Sequence, residues 1–94
     1  MKDERQIIHE KENQQFTLPL ENGLEAKVIY TLDGDTMRLT YSEVPRALRG
    51  QGIGEELVLK TFEKLTEEGY KAIGICGYIR AVARRNEKWR DIIQ

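Results

Sequence analysis

Val44-Pro45-Arg46-Ala47-Leu48-Arg49-Gly50-Gln51-Gly52-Ile53-Gly54 runs straight into a helical pattern and decides how the rest of the chain is read. Gly50, Gly52 and Gly54 fall within five residues, so side chains leave much of this backbone unscreened. The helix that follows aims its own unpaired N–H groups and the positive end of its dipole at the same spot. An anion is expected there, and the glycine spacing suits the diphosphate of a nucleotide-bearing cofactor. An ordinary turn and helix start would also use glycines. However, glycine in a first helical turn costs on the order of 1 kcal/mol, and nothing nearby in the sequence offsets it, whereas a bound ligand would.

After the loop, Ile53, Leu57, Val58, Phe62 and Leu65 recur at helical spacing between Gly52 and Glu68, and Gly69 stops the helix. Lys71 to Cys76 reads as a short buried strand. A last helix follows, with Ile79, Val82, Ala83, Asn86 and Trp89 on one side. Before the loop the period is two. Residues 6–10 and 14–20 read as strands separated by Lys11-Glu12-Asn13, and Asn22-Gly23 signals a hairpin. Ala26, Val28, Tyr30 and Leu32 then share one face of a third strand. Asp33-Gly34-Asp35 turns the chain, and Met37, Leu39 and Tyr41 alternate in a fourth strand from Thr36 through Glu43. The expected order is ββββαβα, an α/β (α+β) fold with a mixed sheet. An antiparallel meander leads into a parallel crossover from the fourth strand to the fifth, and a C-terminal helix completes the chain. Loop 44–54 and residues Cys76 to Tyr78 should then open on one cleft.

Ninety-four residues make one domain, 1–94, with a thin core. No apolar run approaches the ~20 residues of a spanning helix. The charged start, Met1-Lys2-Asp3-Glu4-Arg5-Gln6, lacks the apolar stretch of a signal peptide, and Cys76 is the lone cysteine. A reducing, cytoplasmic setting is the expectation, without membrane insertion. Fifteen basic and sixteen acidic side chains leave a formal charge of −1, so no global field draws nucleic acid. One segment is locally basic, through Arg80, Arg84, Arg85, Lys88 and Arg90. Arg80, Arg84 and Lys88 lie four apart, as on a solvated helical face. They could also meet an anionic group of a cofactor or an acidic protein tail. Trp89 reads as an apolar anchor for the final helix, and no other aromatic is interleaved with these charges for the stacking that nucleic-acid recognition would require.

Two familiar phosphate loops fail here. The Walker loop needs Gly-Lys-Ser or Gly-Lys-Thr at the helix start, where this chain has Gly54-Glu55-Glu56. The dinucleotide fingerprint follows the first parallel strand, whereas these glycines follow a meander. What remains is Arg-x-x-Gly-x-Gly, present as Arg49-Gly50-Gln51-Gly52-Ile53-Gly54. At these residues the chain resembles the GNAT superfamily of acetyl-CoA-dependent N-acetyltransferases. Ser42-Glu43-Val44-Pro45 and Cys76-Gly77-Tyr78-Ile79 resemble its minimal, yjdJ-type single-domain subgroup.

The resemblance implies acetyl-CoA as cofactor. Its pyrophosphate would rest on the amides of Gln51, Gly52, Ile53 and Gly54 within the loop that begins at Gly50, and Arg49 would shape that loop. The pantetheine arm would lie along Ser42, Glu43 and Val44, and Arg80 and Arg84 would be at hand for the adenosine 3′-phosphate. The implied activity is acetyl transfer to a primary amine of an unidentified acceptor, protein or small molecule. A coenzyme A binding module without turnover is the alternative, and a purely structural interaction protein a third reading. Compared with larger members, the chain leaves no room for sixth and seventh strands, has no N-terminal helix pair and has no late tyrosine on its final helix. Where the subgroup often has His-Thr, this chain has Tyr41-Ser42. The thin sheet edge leaves open a monomer or a weak homodimer.

Acetyl transfer needs a deprotonated amine, a stabilised oxyanion and an acid for the leaving thiolate. Two schemes fit. In direct transfer, an N–H near Val44 polarises the carbonyl, Glu43 or a water takes the amine proton, and Cys76 or Tyr78 protonates sulfur. In a ping-pong scheme, Cys76 carries the acetyl group. Cys76 also reads as a small buried apolar residue and Glu43 as a surface strand end. His9, the only histidine, is expected on the surface of the first strand, and no metal-ligand spacing is present.

Overall fold

The computed structural model describes residues 5–94, and residues 1–4 of the charged N-terminal stretch lie outside the described residues. Five strands form one sheet in sequence order: β1 (Ile8–Glu10), β2 (Gln15–Pro19), β3 (Glu25–Asp33), β4 (Thr36–Glu43) and β5 (Lys71–Gly74). The first four pair antiparallel, and β5 runs parallel to β4, as expected of a β4–helix–β5 crossover. The helices are α1 (Ile53–Glu67), α2 (Gly77–Arg84) and α3 (Glu87–Arg90).

The turn chemistry works as the sequence indicates. Asn22 and Gly23 both take positive φ, at 60° and 74°, closing the β2–β3 hairpin. Gly69, at φ +90°, ends α1 with Gly69 N–H on Thr66 O and Tyr70 N–H on Leu65 O, the paired bonds of a Schellman motif.

Phe16, Leu18, Ala26, Val28, Tyr30, Met37, Leu39 and Ala72 alternate along the strands and are buried against Leu57, Val58, Phe62, Leu65, Ile79, Val82 and Trp89 of the helices. The core therefore fills one face of the sheet. Two expected core positions depart from this pattern. Leu32 is exposed near the end of β3. Tyr41, expected beside Leu39, is 47% exposed because the β3–β4 register slips there: Ile29 faces Tyr41 while Tyr30 faces Leu39. Thr40 is the extra residue, a β-bulge that turns Tyr41 to the other face, and its Oγ1 donates to Ile29 O.

The single final helix expected from the apolar spacing is two. The chain breaks after Arg84, and Asn86 accepts from Lys88 N–H at 3.2 Å as the cap of α3 instead of joining the apolar stripe. Trp89 is buried against Phe62 and Ile93 is buried as well, while Gln94 exchanges backbone bonds with Ala72 and Gly74 along the outer edge of β5.

His9 also departs from its expected surface place. It faces Phe16 in the register, so its ring lies on the core side, with the side chain only 3% exposed. It stacks on Phe16 at 4.2 Å and bridges Tyr30 Oη and Glu68 Oε1, both at 2.7 Å. Burial, together with the neighbouring Tyr70 and Glu68, pushes the Tyr30 hydroxyl above its ordinary pKa.

Candidate functional site

β4 extends beyond its partner β5. The parallel pairing stops at Leu39–Gly74, and the N–H groups of Ile75 and Cys76 both converge on Leu39 O as the chain leaves the sheet for α2. The bulge at Thr40 bends β4 at the same level. From there the two strands part, and a cleft of about 480 Å³ opens. Tyr41, Ser42, Glu43 and Val44 form one wall, and Arg49, Gly50, Gly52 and Gly54 form the other with Tyr78.

The loop wall is built from local geometry. After Pro45 a short 3₁₀ turn, Arg46–Leu48, anchors Leu48 against the core. Arg49 Nε then reaches back to Val44 O at 3.3 Å, tying the middle of the loop to its start. Gly50 and Gly52 take φ of +86° and +79°, which is glycine's region, and no atom lies within 4 Å of where either Cβ would stand. None of the backbone N–H groups from Gly50 to Gly54 donates to a backbone carbonyl. The first α1 bond is Glu56 N–H to Gly52 O. The loop thus presents bare amides and open space at a helix N-terminus, the arrangement that holds a phosphate group.

Gly54 has a different reason to be glycine. A Cβ there would meet Tyr78 Oη at 3.0 Å, so its absence seats the Tyr78 ring against the start of α1. The cost of a glycine in this helical turn is therefore answered inside the fold, where the sequence had pointed to a ligand. Gln51 and Ile53 do not line the cleft through their side chains; Ile53 is in the core.

Cys76 adjoins the cleft through Ser42, with Sγ 3.5 Å from Ser42 Oγ, at the residue preceding α2. Burial alone would raise its pKa. The N–H of Ile79, the Ser42 hydroxyl and the N–H groups of Tyr78 and Ser42 outweigh that, and the thiol is held below its ordinary value. Glu43 is exposed and accepts from Tyr41 Oη at 3.3 Å.

Arg80 and Arg84 do not reach this cleft. They line a separate hollow with Ile73 and Arg90, where Arg80 Nε donates to Gly74 O at 3.1 Å. The cation that α2 sends toward the loop is Arg85, which sequence reasoning left unassigned; it meets Glu55 in the first turn of α1 at 3.4 Å. Its place in the basic run was visible, but only the packing of α2 on α1 singles it out. Among the described residues no cluster of three His, Cys, Asp or Glu side chains could hold a metal, and no helix is long and apolar enough to cross a membrane.

Known proteins give the same picture. Residues 15–92 match the family described as GCN5-related N-acetyl-transferase. Protein NATD1 of Gallus gallus is 34% identical over 84 residues, covering 86% of this chain and 76% of the relative. NATD1 of Homo sapiens is 34% identical over 83 residues, covering 85% and 73%. A GCN5-like protein of Staphylococcus aureus, solved by NMR, superposes with a TM-score of 0.69 at 22% identity, over 95% of this chain and 87% of that one, a likeness of fold. With its mixed five-stranded sheet, parted β4 and β5 and glycine loop, the chain belongs to the GCN5-related N-acetyltransferase family.

Proposed function

We propose that this protein is an acetyltransferase that takes the acetyl group of acetyl-CoA to a primary amine. The observation that carries the reading is the meeting, at one cleft, of bare loop amides and the unpaired edge of β4, with the Cys76 thiol adjoining it beside Ser42. The donor set fits coenzyme A. The amides of Gln51, Gly52, Ile53 and Gly54 would take the pyrophosphate, with Arg49 holding the loop closed beneath them. The N–H and C=O groups of Ser42, Glu43 and Val44, beyond the last β5 partner, would pair with the amide-bearing pantetheine arm.

The lowered thiol pKa raises the thiolate share and so favours Cys76 as nucleophile. In this scheme the Cys76 thiol gives its proton to water, and its Sγ attacks the acetyl carbonyl; a new C–S bond forms as the thioester C–S bond breaks. The N–H groups of Tyr78 and Ile79 would offset charge on the oxygen, and the Tyr78 hydroxyl would protonate the departing sulfur and regain a proton from water. The acceptor amine, its proton taken by Glu43 or by water, then receives the acetyl group from Cys76. Bound coenzyme supplies the activated acyl group.

Incubation with acetyl-CoA followed by intact-mass analysis tests this, with one acetyl group expected on the protein and none on Cys76→Ala. Full amine acetylation by Cys76→Ala with no labelled cysteine would leave direct transfer. Coenzyme A binding with no thiol release across a broad amine panel would reduce the protein to a binding module.

A further inference from the structure

The basic C-terminal run is not absorbed by the cleft. A continuous helix would align Arg80, Arg84 and Lys88 and point Arg90 elsewhere. The break at Asn86 changes this. Lys88 turns over the Trp89 ring, with Nζ 4.8 Å from its centroid, and Arg90 comes to the hollow that Arg80 and Arg84 already line. That hollow is about 510 Å³, and the half-buried Ile73, the buried Ala83 and Ile93, Asp91 and Gln94 complete its lining.

Ion pairs among the described residues engage Arg5, Lys60, Lys64 and Arg85, but none of the three arginines of the hollow. Arg80 is tethered through Nε to Gly74 O, and Gly74 lacks the Cβ that would crowd the Arg80 backbone, at 3.3 Å from its Cα. One guanidinium is thereby held in place while Arg84 and Arg90 line the same hollow. Three guanidinium charges against the single carboxylate of Asp91 leave the hollow positive, and among the described residues no hydrogen bond engages the terminal nitrogens of the three arginines. Guanidinium forks match carboxylates and phosphates in geometry. The volume suits an extended acidic chain that lays an apolar side chain over the partly exposed Ile73 better than a compact anion. No aromatic ring lines the hollow on which a base could stack.

We propose that Arg80, Arg84 and Arg90, at the β5 edge, form a docking site for an acidic, partly apolar peptide segment of a partner protein, separate from the cleft. This site stands whether or not the cleft transfers acetyl groups.

A short fluorescent peptide of alternating glutamate and leucine is the probe, beside its glutamine counterpart, a single-stranded oligonucleotide and inorganic phosphate. The glutamate peptide is expected to bind saturably, with amide shifts at Ile73, Ala83 and Ile93 and none from Gly50 to Gly54. Arg84→Gln with Arg90→Gln is expected to weaken binding at least about tenfold. The charge-matched Lys11→Gln with Lys88→Gln should leave it unchanged. All four side chains are exposed, so both proteins should fold, and a matching thermal midpoint verifies it. Equal binding by the two double variants, equal binding of the glutamine peptide, tighter binding of the oligonucleotide or phosphate, or shifts confined to the glycine loop would each overturn the proposal.

Discussion

Adding the same methyl group at two neighbouring loop positions should have different consequences, because Gly52 and Gly54 are glycine for different reasons. At Gly52 the space is empty but φ is +79°, a region where alanine costs about 1–2 kcal/mol. At Gly54 φ is not positive, and alanine gains about 0.8–1.0 kcal/mol of helix propensity. That gain is set against a Cβ at 3.0 Å from Tyr78 Oη, the far end of a side chain that is 41% exposed and free to swing outward. Gly52→Ala should therefore lose about 1 kcal/mol or more, a fall in Tm of roughly 4–8 °C for each kcal/mol. Gly54→Ala should stay within about 0.5 kcal/mol of the parent and gain stability once Tyr78→Ala removes the contact. Urea unfolding followed by fluorescence of the buried Trp89 measures both. The Gly52 methyl also projects into the space assigned to the pyrophosphate, so this variant should lose most of its thermal stabilisation by coenzyme A. A Gly52→Ala protein as stable as the parent, or one stabilised by coenzyme A as strongly, would refute the assigned loop geometry or its role.

Three further expectations are independent of the loop. The alkylation rate of Cys76 by iodoacetamide should inflect below the ordinary thiol pKa, and Ser42→Ala should move the inflection upward; an unshifted inflection in both proteins would remove the amide and hydroxyl effects on sulfur. By linkage, a depressed folded pKa at Cys76 adds stability that is present above the unfolded value and lost as pH falls through the folded one. Tyr30 has the opposite sign: its raised pKa contributes stability that is complete below the ordinary tyrosine value of about 10 and is lost as pH rises through the folded value, a dependence that Tyr30→Phe should flatten in unfolding measured across that range. His9→Ala leaves Tyr30 Oη without its partner and removes a stacked ring, so it should cost about 2–4 kcal/mol; a loss under about 0.5 kcal/mol, as for a surface residue, would contradict the buried placement.

Much of this architecture is legible in the chain because it is decided over a few residues. Positive φ at Asn22-Gly23, Gly34, Gly50, Gly52 and Gly69 follows from which residues tolerate it, and the apolar periods separate meander from helix. The order of the elements through β5 follows from those local signals, as does the parallel placement of β5. So does the glycine loop, together with the resemblance it carries.

Contacts between distant segments decide the rest. The bulge at Thr40 exists only in the pairing of β4 with β3, yet it turns Tyr41 outward and opens the cleft where β5 departs. His9 carries no local sign of burial; pairing with Phe16 and the arrival of Glu68 at the end of α1 place it inside. Gly54 looked like a residue awaiting a ligand until α2 brought Tyr78 against it. The basic run looked like one helical face until the cap at Asn86 folded Arg90 back beside Arg84. Backbone preferences and periodicity thus determined the elements through β5 and the glycine loop. Register, helix packing and one broken helix, which depend on residues far apart in the chain, determined which side chains meet there and which form a second basic site elsewhere.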